Sequence, residues 1–458
     1  MKKASLWTPA LLPKTALKLI WITLGLYTNQ AVCLQIERRL YMGLQKRLWE
    51  EQEERGYGSS DLCVCQKCFG DEYLKKYILT NGDAGKCSFC KDKNGRPARR
   101  KVLPLEELME PIMDAIRTYY LPADGNAIWD PEEKEYLDKV EDVEDVVSNL
   151  NDYMECEDCS LLDAITNIIN PDIFVQSGKI METPEEIDLK MWFNFCKLTK
   201  ARDDLAAEQI VSLCTRDDAP PDLQEIYVCL EMVLHHAKEM HLYEQIHTGI
   251  PFYRCVKIDS PPKGYLKIPA TRIGTAPAER VFNNRMSEQG DMMFYGATDI
   301  RTALREVFDN EQTETCAVGK FYGNKQVFVL NLSNIARWQC PSIFDIDNRE
   351  KRSIWLFLNE FIDHISRPLK GSGEYKPTQV LTKYIQRKTN LKGIAYRSSK
   401  TPSNEKYSMF SNRCFVLFVT NRDCLDQCDK TDKTRYQLIM EPDPTVLDGT
   451  SVAQIMGE

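Results

Sequence analysis

Arg285-Met286-Ser287-Glu288-Gln289-Gly290 is followed by Phe294-Tyr295-Gly296-Ala297 and then by Thr302-Ala303-Leu304-Arg305-Glu306-Val307. The polar composition of the first segment predicts a loop, the aromatic second segment a short strand, and the third segment a helix. An arginine, a tyrosine and a glutamate are spaced along this unit. The stretch therefore predicts an α/β arrangement with one chemically useful side chain on each of three consecutive elements.

Two further segments flank this unit. Phe252-Tyr253-Arg254 begins an earlier strand, and the later strand from Gly393 to Tyr396 leads into a serine. In chain order, the polar residues of interest are Arg254, Arg285, Tyr295, Glu306 and Ser398. This ordered set resembles the RES domain, a family of toxin modules that consume NAD, and the resemblance covers residues 250–440.

The resemblance implies an ADP-ribosyltransferase-like fold and cleavage of the bond between nicotinamide and ribose in NAD. Such a cleavage develops positive charge on the ribose. By the resemblance, Arg254 and Arg285 contact phosphate or ribose, because a guanidinium binds phosphate oxygens bidentately. Tyr295 stacks on the nicotinamide, and Glu306 offsets the ribose charge. Ser398 completes the predicted catalytic set.

The predicted helix places Glu306 at the flank of an apolar stripe, so that its carboxylate leans into a cleft at the edge of the stripe. Thr298 is the predicted N-cap of this helix. Ser398 follows the end of a strand, where loops usually carry functional residues. The adjacent Ser399 is an alternative for the same role.

The chain departs from the family pattern in the loop around Arg285. Asn284, Met286 and Ser287 replace a glycine, an aromatic residue and an asparagine, which weakens any role for a side-chain amide in this loop. Gln379 resembles the family's Pro-x-Gln element that packs behind the site. Cys414 stands where the family has an asparagine, which puts the hydrogen bond of that position in doubt.

Length and composition limit the possible classes of protein. The chain has 458 residues, of which 43% are hydrophobic and 28% charged. These values predict two or three globular domains rather than a disordered chain. The net charge of −9 and the pI near 5.4 argue against nucleic-acid binding as the main function.

The 17 cysteines do not have the pattern of a disulfide framework, since their number is odd and several lie within apolar runs. Two Cys-x2-Cys pairs, separated by 18 residues, predict a structural zinc site with four thiolate ligands: Cys65, Cys68, Cys87 and Cys90. Cys63 is an alternative to Cys65 as a ligand. Four buried free cysteines are the competing interpretation.

Residues 102–249 are predicted to be mainly helical. Apolar residues recur at helical spacing from Leu105 to Ile116, and again in a stretch from Asp222 to His247. Together with the cysteine pairs, this region resembles the amino-terminal part of HEPN-associated RES proteins. The Arg and His pair typical of HEPN ribonucleases is absent from the sequence, so RNase activity is not expected.

The amino terminus carries an apolar run from Ala16 to Tyr27 that resembles a secretory signal but is too short to span a bilayer. Met42 begins a segment typical of an ordinary protein start. Residues 1–41 are therefore predicted to be either an untranslated extension or a helical addition. An export signal is the less favoured interpretation, because the free cysteines downstream suit the reducing cytoplasm.

The complete prediction is an α+β protein with a zinc-binding unit (42–101), a helical domain (102–249), an ADP-ribosyltransferase-like RES domain (250–440) and a tail (441–458). The predicted function is NAD degradation by hydrolysis or phosphorolysis in the cytoplasm, without a membrane anchor. The predicted partners are NAD, inorganic phosphate as a possible acceptor, and an antitoxin or defence protein. The alternatives are a mono-ADP-ribosyltransferase and a non-catalytic, zinc-containing interaction protein.

Overall fold

The structure is a computed structural model. It describes residues 46, 50–91, 94–180, 182–258, 268–308, 315–366, 372–400, 412–429, 432–435 and 437–457. The prediction for residues 1–41 lies outside these residues. The chain divides into two compact units, with the boundary between Gln176 and Ser177.

The first unit combines short sheets with helices, of which four have both ends within the described residues. Its helices are α1 (Glu72–Asn81), α2 (Leu105–Tyr119), α3 (Val143–Met154) and α4 (Cys159–Ile168). Its strands are β1 (Cys63–Cys65), β2 (Asp83–Lys91), β3 (Pro97–Pro104), β4 (Tyr120–Pro122), β5 (Trp129–Asp130), β6 (Glu135–Tyr136), β7 (Glu141–Asp142) and β8 (Ile173–Gln176). They pair in the orders β1-β3-β2, β4-β8-β7 and β5-β6.

Two helices of this unit show how local sequence sets their limits. The side chain of Asp71 caps α1 by accepting from the backbone N–H of Leu74 at 2.8 Å. Helix α2 continues through Pro111 and buries an apolar face that includes Leu108 and Ile112. The apolar spacing from Leu105 to Ile116 indicated helical structure, and the structure shows one helix that is continuous through Pro111.

The second unit contains most of the helices and a large mixed sheet. Its helices are α5 (Ser177–Ile180), α6 (Pro184–Lys200), α7 (Ala207–Cys214), α8 (Pro221–Glu239), α9 (Ala270–Ile273), α10 (Ile300–Val307), α11 (Arg349–Ser366), α12 (Lys376–Lys388) and α13 (Gly449–Gly457). Its strands are β9 (Tyr243–Ile246), β10 (Pro251–Lys257), β11 (Phe294–Ala297), β12 (Cys316–Gly323), β13 (Val327–Asn331), β14 (Gly393–Arg397), β15 (Arg413–Leu417), β16 (Cys424–Asp426), β17 (Leu438–Met440) and β18 (Thr445–Leu447). Turns of 3-10 helix span Gln66–Cys68 in the first unit, and Ala278–Arg280, Leu332–Arg337, Ile346–Asn348, Ser372–Tyr375, Asn421–Asp423 and Lys433–Arg435 here.

Ten strands of the second unit form one sheet within the described residues. The order is β16-β17-β12-β10-β11-β15-β14-β13-β9, and β18 also pairs with β12. The pairs β13–β14 and β16–β17 are parallel, whereas the other pairs are antiparallel. The predicted mixed α/β character with a large mixed sheet is therefore confirmed.

The central strands are covered on both faces, which is typical of strands with continuous apolar runs. Ile394 and Val416 pack into a core shared with helices α6, α7, α8, α11 and α12. Their neighbours Ala395 and Phe415 face a second core that includes Phe252, because successive strand residues point to opposite faces. Strand β13 is an exception at one position, where Phe328 is 51% exposed.

The structure corrects the prediction for the end of the helical region. Helix α8 ends at Glu239, and Tyr243–Ile246 forms strand β9, which pairs with β13 in the large sheet. Helices α6 to α8, which fall within the predicted helical domain 102–249, pack in the second unit against α11 and α12. The reason is tertiary, since their apolar faces are buried by helices that lie more than a hundred residues later in the chain.

Candidate active site and cysteine cluster

Helix α10 places Glu306 at the candidate site. The side chain of Asp299 caps this helix and accepts from the backbone N–H of Thr302 at 2.8 Å. The prediction that Thr298 is the cap was therefore wrong by one residue. Asp299 supplies a charged acceptor at the positive helix N-terminus, which a threonine hydroxyl does not. Glu306 lies in the last turn and is exposed to the adjacent cavity.

The carboxylate of Glu306 contacts the end of strand β14. The hydroxyl of Ser398 donates to Oε1 of Glu306 at 2.5 Å, and the Cys414 thiol lies 3.4 Å from the same oxygen. Ser398 is buried, whereas its rival Ser399 is exposed. Although Cys414 replaces an asparagine of the family, its sulfur therefore still contacts the carboxylate. Burial and the adjacent Glu306 charge raise the pKa of this thiol well above its ordinary value.

Arg254 lies on strand β10, and two backbone carbonyls of other elements hold its guanidinium. Its Nε donates to Ile273 O at 2.8 Å, and its Nη1 donates to Tyr295 O at 2.7 Å. The guanidinium also lies 5.5 Å from the centre of the Phe294 ring. Burial lowers the pKa of Arg254 from its ordinary value. These contacts fix the orientation of the guanidinium plane at the cavity wall.

The loop that carries Arg285 is held from behind by helix α12. The Thr378 hydroxyl donates to the carbonyl of Arg285, and the Gln379 amide donates to Asn284 O at 2.9 Å and Ser287 O at 3.1 Å. The Arg285 guanidinium itself donates to the carbonyl of Ile365. Gln379 thus packs behind the loop, in the place that the family resemblance implied for it.

Tyr295 lies on β11 and contacts the same loop. Its hydroxyl is 2.8 Å from the hydroxyl of Ser287. Burial raises the pKa of Tyr295 to about 12, so the phenol stays protonated near neutral pH. The ring is half-buried in the cavity wall and can stack on a flat ligand.

These side chains share one cavity of about 530 Å³. Its wall includes four of the five predicted residues: Arg254, Arg285, Tyr295 and Glu306. Ser398 lies outside the wall and donates its hydroxyl to Glu306. The volume is within the range of about 300–1,000 Å³ that is typical of small-molecule sites. The structure therefore brings together residues that are as far apart as 144 positions in the sequence.

The cavity wall also contains residues that sequence reasoning missed: Arg280, Phe282, Tyr375 and Tyr396. Burial, with Cys414 and Glu306 nearby, raises the pKa of Tyr396 well above its ordinary value. Tyr396 ends the predicted strand that leads to Ser398, so its position next to the predicted site was a signal in the sequence. Arg280 ends a 3-10 turn and Phe282 lies in the loop after it. Neither belongs to a periodic pattern, and the sequence offers only their nearness to Arg285 as a signal.

Glu288 is a structural residue of the Arg285 loop. Its carboxylate accepts from the Lys376 ammonium at 2.8 Å and from the backbone N–H of Ala207 at 2.9 Å. Lys376 is almost fully buried and also donates to the carbonyl of Leu205 at 2.8 Å. The loop is therefore tied to the start of helix α7. An unpaired Lys376 would be costly at this depth.

Comparison with known families identifies two domains in the chain. Residues 251–439 match the RES domain, whose five predicted site residues lie around the cavity described above. The chain carries a RES domain. Residues 80–211 match HEPN/RES N-terminal domain 1. Comparison with curated proteins and with solved structures gave no match.

The predicted family is thus confirmed, together with its HEPN-associated amino-terminal part. RES domains are associated with NAD-related toxin activity. Residues 251–439 are accordingly a RES domain, which suggests an NAD-acting enzyme in the general sense. The match to the RES domain begins in strand β10 and ends in β17, so it includes the whole cavity wall.

Upstream of the RES domain, the four predicted ligand cysteines form a cluster in the first unit. The Sγ atoms of Cys65, Cys68, Cys87 and Cys90 all lie within 4.8 Å of one another, and the four contacts measured individually are 3.5–3.9 Å. Zinc–sulfur bonds of about 2.3 Å in a tetrahedron place the sulfurs about 3.8 Å apart. Cys65 belongs to this cluster and Cys63 does not. The cluster could hold a metal ion.

None of the helices in the described part of the chain has both the length and the apolar character that a membrane span requires.

Proposed function

We propose that the RES domain cleaves the bond between nicotinamide and ribose in NAD, and acts as a toxin or defence enzyme in the cytoplasm. The observation that carries this proposal is the single cavity that gathers two arginines, a tyrosine and a carboxylate. A dinucleotide needs positive groups for its pyrophosphate and a flat surface for its nicotinamide. It also needs a negative group beside the ribose, where positive charge develops.

In the proposed step, the bond between C1′ of the ribose and the nicotinamide nitrogen breaks. The bonding electrons go to the nitrogen, so nicotinamide leaves as a neutral ring and the ribose becomes an oxocarbenium ion. The Glu306 carboxylate stabilises this cation. Ser398 holds one carboxylate oxygen at 2.5 Å, which leaves the other oxygen for the ribose. Arg254 and Arg285 bind the pyrophosphate or the ribose hydroxyls.

Two acceptors complete the reaction with balanced products. Attack by water on C1′ gives ADP-ribose and releases one proton to solvent. Attack by inorganic phosphate gives an ADP-ribose that carries a phosphate at C1′. A protein side chain is the third possible acceptor, as in an ADP-ribosyltransferase. The mixed sheet and the cavity at β10, β11 and β15 support such an arrangement.

The test is incubation of the purified full chain with NAD, with and without inorganic phosphate, followed by mass analysis. Free nicotinamide with ADP-ribose supports hydrolysis, whereas a phosphorylated ADP-ribose that forms only with phosphate supports phosphorolysis. A protein whose mass increases by one ADP-ribosyl group supports the transferase alternative. If NAD remains intact under all conditions, the proposed function is wrong.

We also propose that the cysteine cluster holds a structural zinc ion. The four sulfurs have the separations of a tetrahedral site, and four thiolates leave no position for a substrate. A positively charged side chain near four thiolates offsets part of their negative charge. The Arg100 guanidinium lies 3.7 Å from the sulfur of Cys65. Zinc would therefore connect the strands β1 and β2 of the small amino-terminal sheet.

A further inference from the structure

Phe282 is the most exposed large hydrophobic side chain of the second unit within the described residues, with 75% of its surface accessible. It also lines the active-site cavity. An accessible phenyl ring loses the hydrophobic stabilisation that burial would give it. A ligand that binds in the cavity and covers the ring would recover this stabilisation.

The exposure of Phe282 is imposed by the backbone around it. Val281 donates to Ala278 O at 3.2 Å, and its own carbonyl accepts from the N–H of Gly290 at 3.2 Å. The Asn284 amide donates to the carbonyl of Phe282 at 2.8 Å. Gly290 closes the loop with a φ of +87°, a conformation that favours glycine. The ring is thus held at the cavity on a hydrogen-bonded loop.

NAD has two flat rings, and the proposed cleavage fixes the position of one of them, the nicotinamide. The nicotinamide has to lie beside Glu306, where the half-buried rings of Tyr295 and Tyr396 are its neighbours. The adenine has to lie elsewhere in the cavity, a pyrophosphate away. Phe282 is the most exposed aromatic ring of the wall, whereas Tyr253 and Tyr375 are half-buried and Phe415 is buried. The exposed Arg280 lies two residues before Phe282 in the sequence and is available to the phosphates.

We propose that Phe282 is the stacking surface for the adenine ring of NAD. This inference rests on the proposed function and adds the substrate class: the site selects dinucleotides over nicotinamide mononucleotide, which has no second ring. Stacking between a base and an aromatic side chain contributes to binding before and during the reaction alike. Its loss should therefore change KM and leave kcat unchanged.

The experiment compares Phe282→Ala with Phe328→Ala in the full chain. Phe328 is also an exposed phenylalanine, but it lies on β13 and does not line the active-site cavity. We expect Phe282→Ala to raise the KM for NAD about tenfold, with kcat within about twofold. The kinetics with nicotinamide mononucleotide should not change, and Phe282→Trp should restore the KM for NAD. Phe328→Ala should behave like the wild type.

Binding of ADP-ribose, measured by calorimetry, separates this inference from the proposed function. The Kd for ADP-ribose should rise about tenfold in Phe282→Ala, whether or not the wild type cleaves NAD. A protein that binds ADP-ribose in this way without cleaving NAD would overturn the proposed function and keep the adenine site. Equal Kd values for Phe282→Ala and Phe328→Ala would overturn the adenine site.

Discussion

Glu306 combines accessibility with fixed geometry, which a catalytic carboxylate needs. Its side chain is open to the cavity, yet Ser398 and Cys414 hold one of its oxygens. Ser398 in turn donates its backbone N–H to Asn412 O at 3.0 Å. The position of the carboxylate is therefore set by strands β14 and β15 as well as by its own helix.

We expect Glu306→Gln to lower kcat for NAD cleavage on the order of a hundredfold or more. The amide has nearly the same shape, so packing is kept, but the negative charge beside the ribose is lost. Turnover can be measured from nicotinamide release. Wild-type turnover in Glu306→Gln would contradict the role of this carboxylate.

The matched control is Glu350→Gln, at an exposed residue of α11 outside the cavity wall, which should keep full activity. Glu288, although it has no counterpart in the family motif, is not a neutral control. Its replacement would leave the buried ammonium of Lys376 without its closest carboxylate, so we expect Glu288→Gln to be impaired through the loop.

Arg254→Lys should lower kcat/KM roughly tenfold or more, since each hydrogen bond from a charged group contributes about 1.5–3 kcal/mol. A lysine ammonium cannot reproduce the two planar contacts to Ile273 and Tyr295. Steady-state kinetics with NAD measure this loss. Arg422→Lys, at an exposed position, is the control. An equal kcat/KM for the two variants would show that the guanidinium shape is unimportant.

At the scale of elements, a ring of hydrogen bonds joins helix α10 to strand β14. Asp299 caps the helix that carries Glu306, and its Oδ2 accepts from the backbone N–H of Asn412 at 3.1 Å. The backbone carbonyl of Asn412 accepts from the N–H of Ser398. The Ser398 hydroxyl donates to Glu306 and so closes the ring. Asn412 has a φ of +63°, which an asparagine tolerates better than most residues.

Asp299→Asn should lower kcat on the order of tenfold or more while KM stays nearly constant, because small displacements of catalytic groups are costly. Asparagine caps a helix about as well as aspartate, but its NH2 group cannot accept from Asn412. Asp142→Asn is the control, since Asp142 caps α3 in the same way at 2.9 Å. A similar small change in Tm for both variants, with a loss of kcat in Asp299→Asn alone, would support the role of Asp299 in positioning Glu306. Unchanged kcat would refute it.

The cysteine cluster gives a second prediction for a small element. The double variant Cys87→Ser and Cys90→Ser should lose the bound zinc, because two of the four ligands are removed. The first unit should then unfold, since metal-binding energy is folding energy in small metal sites. Metal analysis and circular dichroism measure both effects. Cys63→Ser should retain one zinc per chain, and zinc retained by the double variant would exclude the site.

At the scale of the whole molecule, the predicted RES domain depends on helices that precede it. Trp192 and Phe195 of α6, with Ile226 of α8, share a core with Phe357 and Phe361 of α11. Lys376 donates to the carbonyl of Leu205 and pairs with Asp203 at 3.7 Å. Removing residues before 250 would expose this apolar surface.

We therefore expect a fragment of residues 177–458 to fold and cleave NAD, whereas residues 250–440 alone should aggregate or unfold. Burial of one large apolar side chain contributes about 1.5–3 kcal/mol, and the shorter fragment loses the cover of several. Size-exclusion chromatography and thermal unfolding measure the difference. A folded and active 250–440 fragment would show that α6 to α8 are dispensable.

The sequence by itself determined the features that depend on short-range spacing. Two cysteine pairs specified the cluster, because each pair acts within one turn of chain. The ordered set of Arg254, Arg285, Tyr295, Glu306 and Ser398 predicted a RES domain, and the family match at residues 251–439 confirmed the domain. A continuous apolar run such as that of β15 is likewise a local feature, and all five residues of this strand are buried.

Only the tertiary structure decided which distant residues complete the site. Phe282 and Tyr396 enter the cavity wall through loop closure and strand pairing, neither of which has a local signature. The pairing of Glu288 with Lys376 spans 88 positions, and an isolated glutamate in a loop predicts no partner. The helices before residue 250 became part of the catalytic unit for the same reason. An amphipathic face shows that it will be buried, but the partner surface is set by packing across the whole fold.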